Sequence, residues 1–142
     1  MGWVEHFQKD HRATELLLAK LEGNLREIAH SGRVRQGILL ECRELLEIVE
    51  QVIRPHFARE EEHIYPAVAA TGQAGKEFAA EMLAEHQALF DAFNKFASAV
   101  TAEVPAELLS AGEVILKFLK DHIVKEDTQI PALLRDKAEP RA

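Results

Sequence analysis

Apolar residues in this chain recur at three- and four-residue spacing along four separate segments, and every series is broken by histidine. That period belongs to helices with one buried face, so the chain reads as all-α. Turn signals at Ser31-Gly32, at Thr71-Gly72-Gln73-Ala74-Gly75 and at Val104-Pro105 separate the segments. The first runs from about Trp3 to His30, the second from Val34 to Ala70 and the third from Lys76 to Glu103. The fourth starts at Pro105 and is expected to end or kink at Pro131. Pro55, inside the second, predicts a kink or two helices in place of one. Connections this short favour antiparallel neighbours. The expected architecture is therefore an up-down-up-down four-helix bundle, a single domain over residues 1–142.

The first stripe reads Trp3, Phe7, His11, Thr14, Leu18, Leu21, Leu25, Ile28. The second reads Ile38, Cys42, Leu45, Val49, Val52, His56, Glu60, His63, Ala67. The third reads Ala79, Met82, His86, Leu89, Phe93, Phe96, Val100, and the fourth Leu108, Gly112, Ile115, Leu119, His122, Glu126, Ile130. At a rise of 1.5 Å per residue, His11 and His86 lie roughly 12–15 Å from the starts of their helices. His56 and Glu60, like His122 and Glu126, lie near the ends of theirs. In an antiparallel bundle, starts meet ends, so these six residues are expected to share one layer.

Energetics give that layer a purpose. An unpaired buried carboxylate costs several kcal/mol, and a whole domain is stable by only about 5–15 kcal/mol. Protonation or His–Glu pairing relieves part of that cost; bound cations relieve more and use the imidazole nitrogens as ligands. His-x-x-x-Glu places both groups one turn apart on one face, within reach of a shared ion. Four nitrogens and two carboxylates exceed one tetrahedral structural site. They suit two ions bridged by Glu60 and Glu126, with open positions for water, hydroxide or dioxygen. Nitrogen and oxygen ligation of this kind points to iron, with zinc or manganese as alternatives.

Other residues have plainer readings. His63, one turn beyond Glu60, is expected at the rim or behind the ligands. His6 and His30 fall off the stripes near helix ends, and Glu61 and Glu62 read as a solvated face. Cys42 behaves as a small core residue, and Phe90, Phe93 and Phe96 as core. Seventeen Lys and Arg against 24 Asp and Glu give a net charge of −7, which disfavours nucleic-acid binding. No apolar run approaches the ~20 residues of a membrane span. A polar N-terminus and a single cysteine point to a reducing, cytoplasmic setting.

The segments Asp10-His11, His56-Phe-Ala-Arg-Glu60-Glu61 followed by Ile64-Tyr65-Pro66, Glu85-His86-Gln-Ala-Leu, and His122-Ile-Val-Lys-Glu126-Asp127 followed by Ile130-Pro131 resemble the hemerythrin-like, HHE cation-binding family over nearly the whole chain. The resemblance implies a four-helix bundle holding a non-heme di-iron centre. It makes His11, His56, His86 and His122 terminal ligands and Glu60 and Glu126 bridges. Oxygen carriers of this family use a fifth histidine one turn after the third-helix ligand, where this chain has Phe90. They also place the fourth-helix carboxylate five residues after its histidine, which here is Asp127. The stripe and the repeated motif favour Glu126, with Asp127 the alternative.

The expected function is binding or sensing of dioxygen or a related small oxidant at a di-iron centre. Two alternatives are redox turnover of peroxide or nitrogen oxides, and an iron store or iron-level sensor. No appended effector domain is expected, so a partner chain, in a homodimer or as a separate protein, would receive any signal.

Overall fold

The computed structural model describes residues 3–135, without the side chains of Trp3, Val4 and His6. The expectations for the side chains of Trp3 and His6 lie outside the described residues. Four helices form, and no strand occurs among the described residues. Helix α1 spans Trp3–Ser31. Helix α2 is continuous over residues 36–69, but it changes pitch along its length. It is α-helical at Gln36–Ile48, Arg54–Arg59 and Tyr65–Ala69, with π turns at Val49–Ile53 and Glu60–Ile64. Helix α3 spans Gln73–Ala102 and α4 spans Pro105–Arg135.

Cross-helix contacts fix the topology. His11 meets Asp127 near one end of α1 and α4, while a Cβ on Gly112 would meet Leu25 at 2.7 Å further along the same pair. Asp10 meets His56 and Asn24 meets Glu41 between α1 and α2. Glu61 reaches His86, and Glu85 reaches His122. Residue numbers rise on one helix as they fall on its neighbour, which is the antiparallel arrangement that short loops favour.

The stripes of α1, α3 and α4 are buried as expected from Phe7 onward, with Thr14 half-buried. The stripe of α2 holds from Ile38 to Val49 and then shifts. Val52 is exposed and Ile53 is buried; His63 is exposed, while Ile64, Tyr65 and Val68 are buried. The π turns cause both shifts, because each inserts an extra residue and rotates the rest of the helix relative to a 3.6-residue period. Each π turn ends two residues before a proline and contains the residue four before it, Gln51 for Pro55 and Glu62 for Pro66. A proline ring clashes with that carbonyl in a regular α-helix, and widening the turn relieves the clash. Pro55 therefore neither splits nor ends α2.

Two further expectations are corrected. Helix α4 runs through Pro131 to Arg135, which excludes an end at the proline, one of the two readings given for it. Helix α3 begins at Gln73, so Gly75 lies inside it. A Cβ at Gly75 would stand 2.0 Å from the carbonyl oxygen of Val68. Glycine there lets the start of α3 press against the end of α2.

Candidate metal centre

All six expected residues meet in one buried layer near one end of the bundle. His11, His86, His122, Glu60 and Glu126 are at most 2% exposed, and His56 is 7% exposed. This layer sits between two apolar clusters, one around Phe96 and Ile115 and the other around Met82 and Ile130.

The imidazole Nε2 atoms point inward at the carboxylates. His11 Nε2 lies 3.1 Å from Glu126 Oε1, and His56 Nε2 lies 3.3 Å from Glu60 Oε2. His86 Nε2 is 3.2 Å from Glu60 Oε1 and 3.2 Å from His122 Nε2; His122 Nε2 is 3.3 Å from Glu126 Oε1. Two donors held about 2.1 Å from one ion, at octahedral to tetrahedral angles, stand about 3.0–3.4 Å apart. The observed spacings match that requirement. Two groups, each able to hold an ion, emerge: His11, His56, Glu60 and Glu126, and Glu60, His86, His122 and Glu126. Both carboxylates belong to both groups. His56 Nε2, Glu60 Oε2 and Glu126 Oε1 are buried and meet only other atoms of the layer, in loose imidazole–carboxylate contacts of 3.1–3.7 Å. Polar atoms this deep and this loosely paired are costly, and a cation among them removes the cost.

The outward-facing nitrogens share one pattern. His11 Nδ1 donates to Asp127 at 2.8 Å, His56 Nδ1 to Asp10 at 3.0 Å, His86 Nδ1 to Glu61 at 2.7 Å and His122 Nδ1 to Glu85 at 2.9 Å. Each helix thus supplies the acid that holds the imidazole of the next: α1 to α2, α2 to α3, α3 to α4 and α4 back to α1. Such bonds fix the tautomer with the proton on Nδ1 and present Nε2 as a ligand. The acid is always the sequence neighbour of an inward residue: Asp10 of His11, Glu61 of Glu60, Glu85 of His86, Asp127 of Glu126. One residue along a helix is about 100° around it, which aims that side chain at the adjacent helix. Glu61 is therefore not part of a solvated face, and Asp127 stands behind His11, leaving Glu126 in the layer. Glu62 and His63 are exposed, so His63 neither rims nor supports the site. His30 is exposed as expected.

The residue missed in the sequence is Tyr65. It is 2% exposed, and its hydroxyl donates to Glu126 Oε2, with His86 Nε2 at 2.9 Å and Glu60 Oε1 at 3.3 Å. The π turn at Glu60–Ile64 delivers it, and in the sequence only Pro66 hinted at that turn.

Charge in the layer is out of balance. Six carboxylates surround the four imidazoles, and Arg12, Arg59 and Lys125 offset those of Asp127, Asp10 and Glu85. Protons make up the difference when no metal is bound. Burial opposes charge on His11, yet hydrogen bonds to Glu126 and Glu60 outweigh it and raise the pKa to about 10. Burial likewise opposes charge on His122, and Glu126 and Glu85 raise it to about 9. Burial also disfavours the Glu60 carboxylate, but bonds from His11, His56 and His86 hold it well below the usual range. Burial, then the charges of Glu126 and Glu60, raises Tyr65 far above an ordinary phenol.

The pattern of imidazoles and bridging acids across four antiparallel helices has a counterpart among known families: the hemerythrin HHE cation binding domain matches residues 4–134. The chain belongs to the hemerythrin HHE cation-binding family. No curated protein and no solved structure matches it. Within this hemerythrin domain, aromatic rings wall the centre. Phe57 stacks on His86 with centroids 3.8 Å apart, and Phe7 packs edge-on against His11. Phe90 is half-buried, 5.7 Å from Phe57 and beneath the Arg54 guanidinium, and it offers no ligand. Among the described residues no helix is long and apolar enough to cross a membrane.

Proposed function

We propose that this hemerythrin-family protein holds two iron ions and uses them to bind or sense dioxygen or a related small oxidant in the cytoplasm. His11, His56, His86 and His122 are the terminal ligands, and Glu60 and Glu126 bridge. The observation that carries this reading is the pair of four-residue groups sharing both carboxylates. Four protein donors per ion leave coordination positions for a small exogenous molecule, and mixed imidazole and carboxylate ligation suits iron. When bound, the ions supply one-electron chemistry and Lewis acidity. The chain itself does the rest. Asp10, Glu61, Glu85 and Asp127 orient the imidazoles. Phe7 and Phe57 exclude water, and Tyr65 holds a proton beside Glu126.

Anaerobic reconstitution with ferrous iron, followed by air, tests the reading. Two irons per chain and new charge-transfer absorption on exposure to air are expected. Fewer than two irons, or an unchanged spectrum, would overturn it. Phe90 favours a second reading, turnover of peroxide or a nitrogen oxide, because it stands where the family's oxygen carriers have a fifth histidine and offers no ligand. Multiple turnovers that vanish in His56→Ala are expected there.

A further inference from the structure

The two ion positions are not equivalent in their surroundings. Of the buried atoms without a close hydrogen bond, His56 Nε2 and Glu60 Oε2 lie 3.3 Å apart on the α1 and α2 side, and Glu126 Oε1 lies between the two sides, 3.1 Å from His11 Nε2 and 3.3 Å from His122 Nε2. The other oxygens of the same two carboxylates turn to Tyr65. Its hydroxyl engages Glu126 Oε2, stands 3.3 Å from Glu60 Oε1 and 2.9 Å from His86 Nε2, and so touches three of that group's four residues. His86 Nε2 is also 3.2 Å from His122 Nε2, so the two nitrogens pair when His122 carries a second proton.

We propose that the ions load in order, first at His11 and His56 and second at His86 and His122, and that Tyr65 sets the order by competing for the donors of the second position. This rests on the two-ion reading above. A cation entering the first position replaces only the imidazole–carboxylate contacts of 3.1–3.7 Å among its own donors. One entering the second must displace a buried phenol from a carboxylate, which has a real cost because hydrogen bonds to charged groups are the strong ones. Tyr65 is thereby a positioning residue for metal loading.

Zinc titration of the full chain, monitored by imidazole 15N chemical shifts, reads the order without any redox chemistry. At one equivalent of Zn2+, the Nε2 signals of His11 and His56 should move to metal-bound positions. Those of His86 and His122 should move only with the second equivalent. In Tyr65→Phe, which keeps the ring, the second step should tighten about tenfold relative to the first, the size of one hydrogen bond to a charged group. His86 and His122 moving first, all four moving together, or an unchanged ratio of steps in Tyr65→Phe would overturn the inference. Saturation below two Zn2+ per chain would instead defeat the two-ion reading. The wild-type titration alone decides the order if Tyr65→Phe does not fold.

Discussion

Helices α2 and α4 carry the same His-x-x-x-Glu motif and deliver it in different ways. Helix α4 is α-helical throughout, so Glu126, Ile130 and Leu134 stack one turn apart on the buried face. Helix α2 widens into a π turn starting at Glu60, so Tyr65, five residues after Glu60, is buried beside Ile64. Proline comes five residues after Glu126 but six after Glu60, and the π turn accounts for that difference. Tyr65 in α2 is consequently the counterpart of Ile130 in α4, each directly before its proline. One extra residue thus exchanges an aliphatic packing group for a phenol inside the metal layer. A local change of pitch altered the chemistry of the site while leaving its six principal residues in register.

The shared carboxylates should show the largest effect and no asymmetry between the two helices. Glu60→Ala and Glu126→Ala each remove a donor from both groups, so both variants are expected to lose tight binding of either ion, measured as metal per chain after gel filtration. Retention of two ions by either would break the symmetry.

Deletions should separate the helices. Removing His63 takes out the extra, exposed residue and gives α2 the spacing of α4, with Tyr65 still one turn after Glu60. The expected cost in chemical denaturation is under about 2 kcal/mol, since nothing buried is lost. Removing Thr128 rotates Ile130 and Leu134 off the core of α4, at about 1.5–3 kcal/mol for each. Equal costs would mean that the π turn is not a one-residue insertion.

The outer acids should matter next. Asp10→Asn behind His56 of α2, and Glu85→Gln behind His122 of α4, are each expected to weaken metal binding about 10–100-fold. Competition with a chelator of known affinity gives the number, and an unchanged affinity would show that tautomer control by these acids is dispensable.

The remaining effect concerns protons. His11 and His122 have folded pKa values of about 10 and about 9, above the ordinary 6.5. Their stabilisation of the metal-free form is fully present below pH 6.5 and is lost as pH rises through 9 and 10. The metal-free denaturation midpoint should fall between pH 7 and pH 10. A midpoint that rose instead would contradict the assigned protonation.

Much of this protein was legible from its residues. The stripes of α1, α3 and α4, the helix number and the six-residue layer derive from a period that each segment states locally, and burial derives from that period. The choice of Glu126 over Asp127 was also implicit, because the repeat and the stripe agree on it. Other features needed the assembled bundle. A π turn gives up regular hydrogen bonding in exchange for packing and proline accommodation. Its position therefore depends on which side chains neighbouring helices will accept, and sequence period alone put His63 where Tyr65 belongs. The outer acids needed the bundle for a related reason. Asp10, Glu61, Glu85 and Asp127 are ordinary charged residues on their own helices. They become imidazole supports only because the next helix sets a histidine within 3.0 Å.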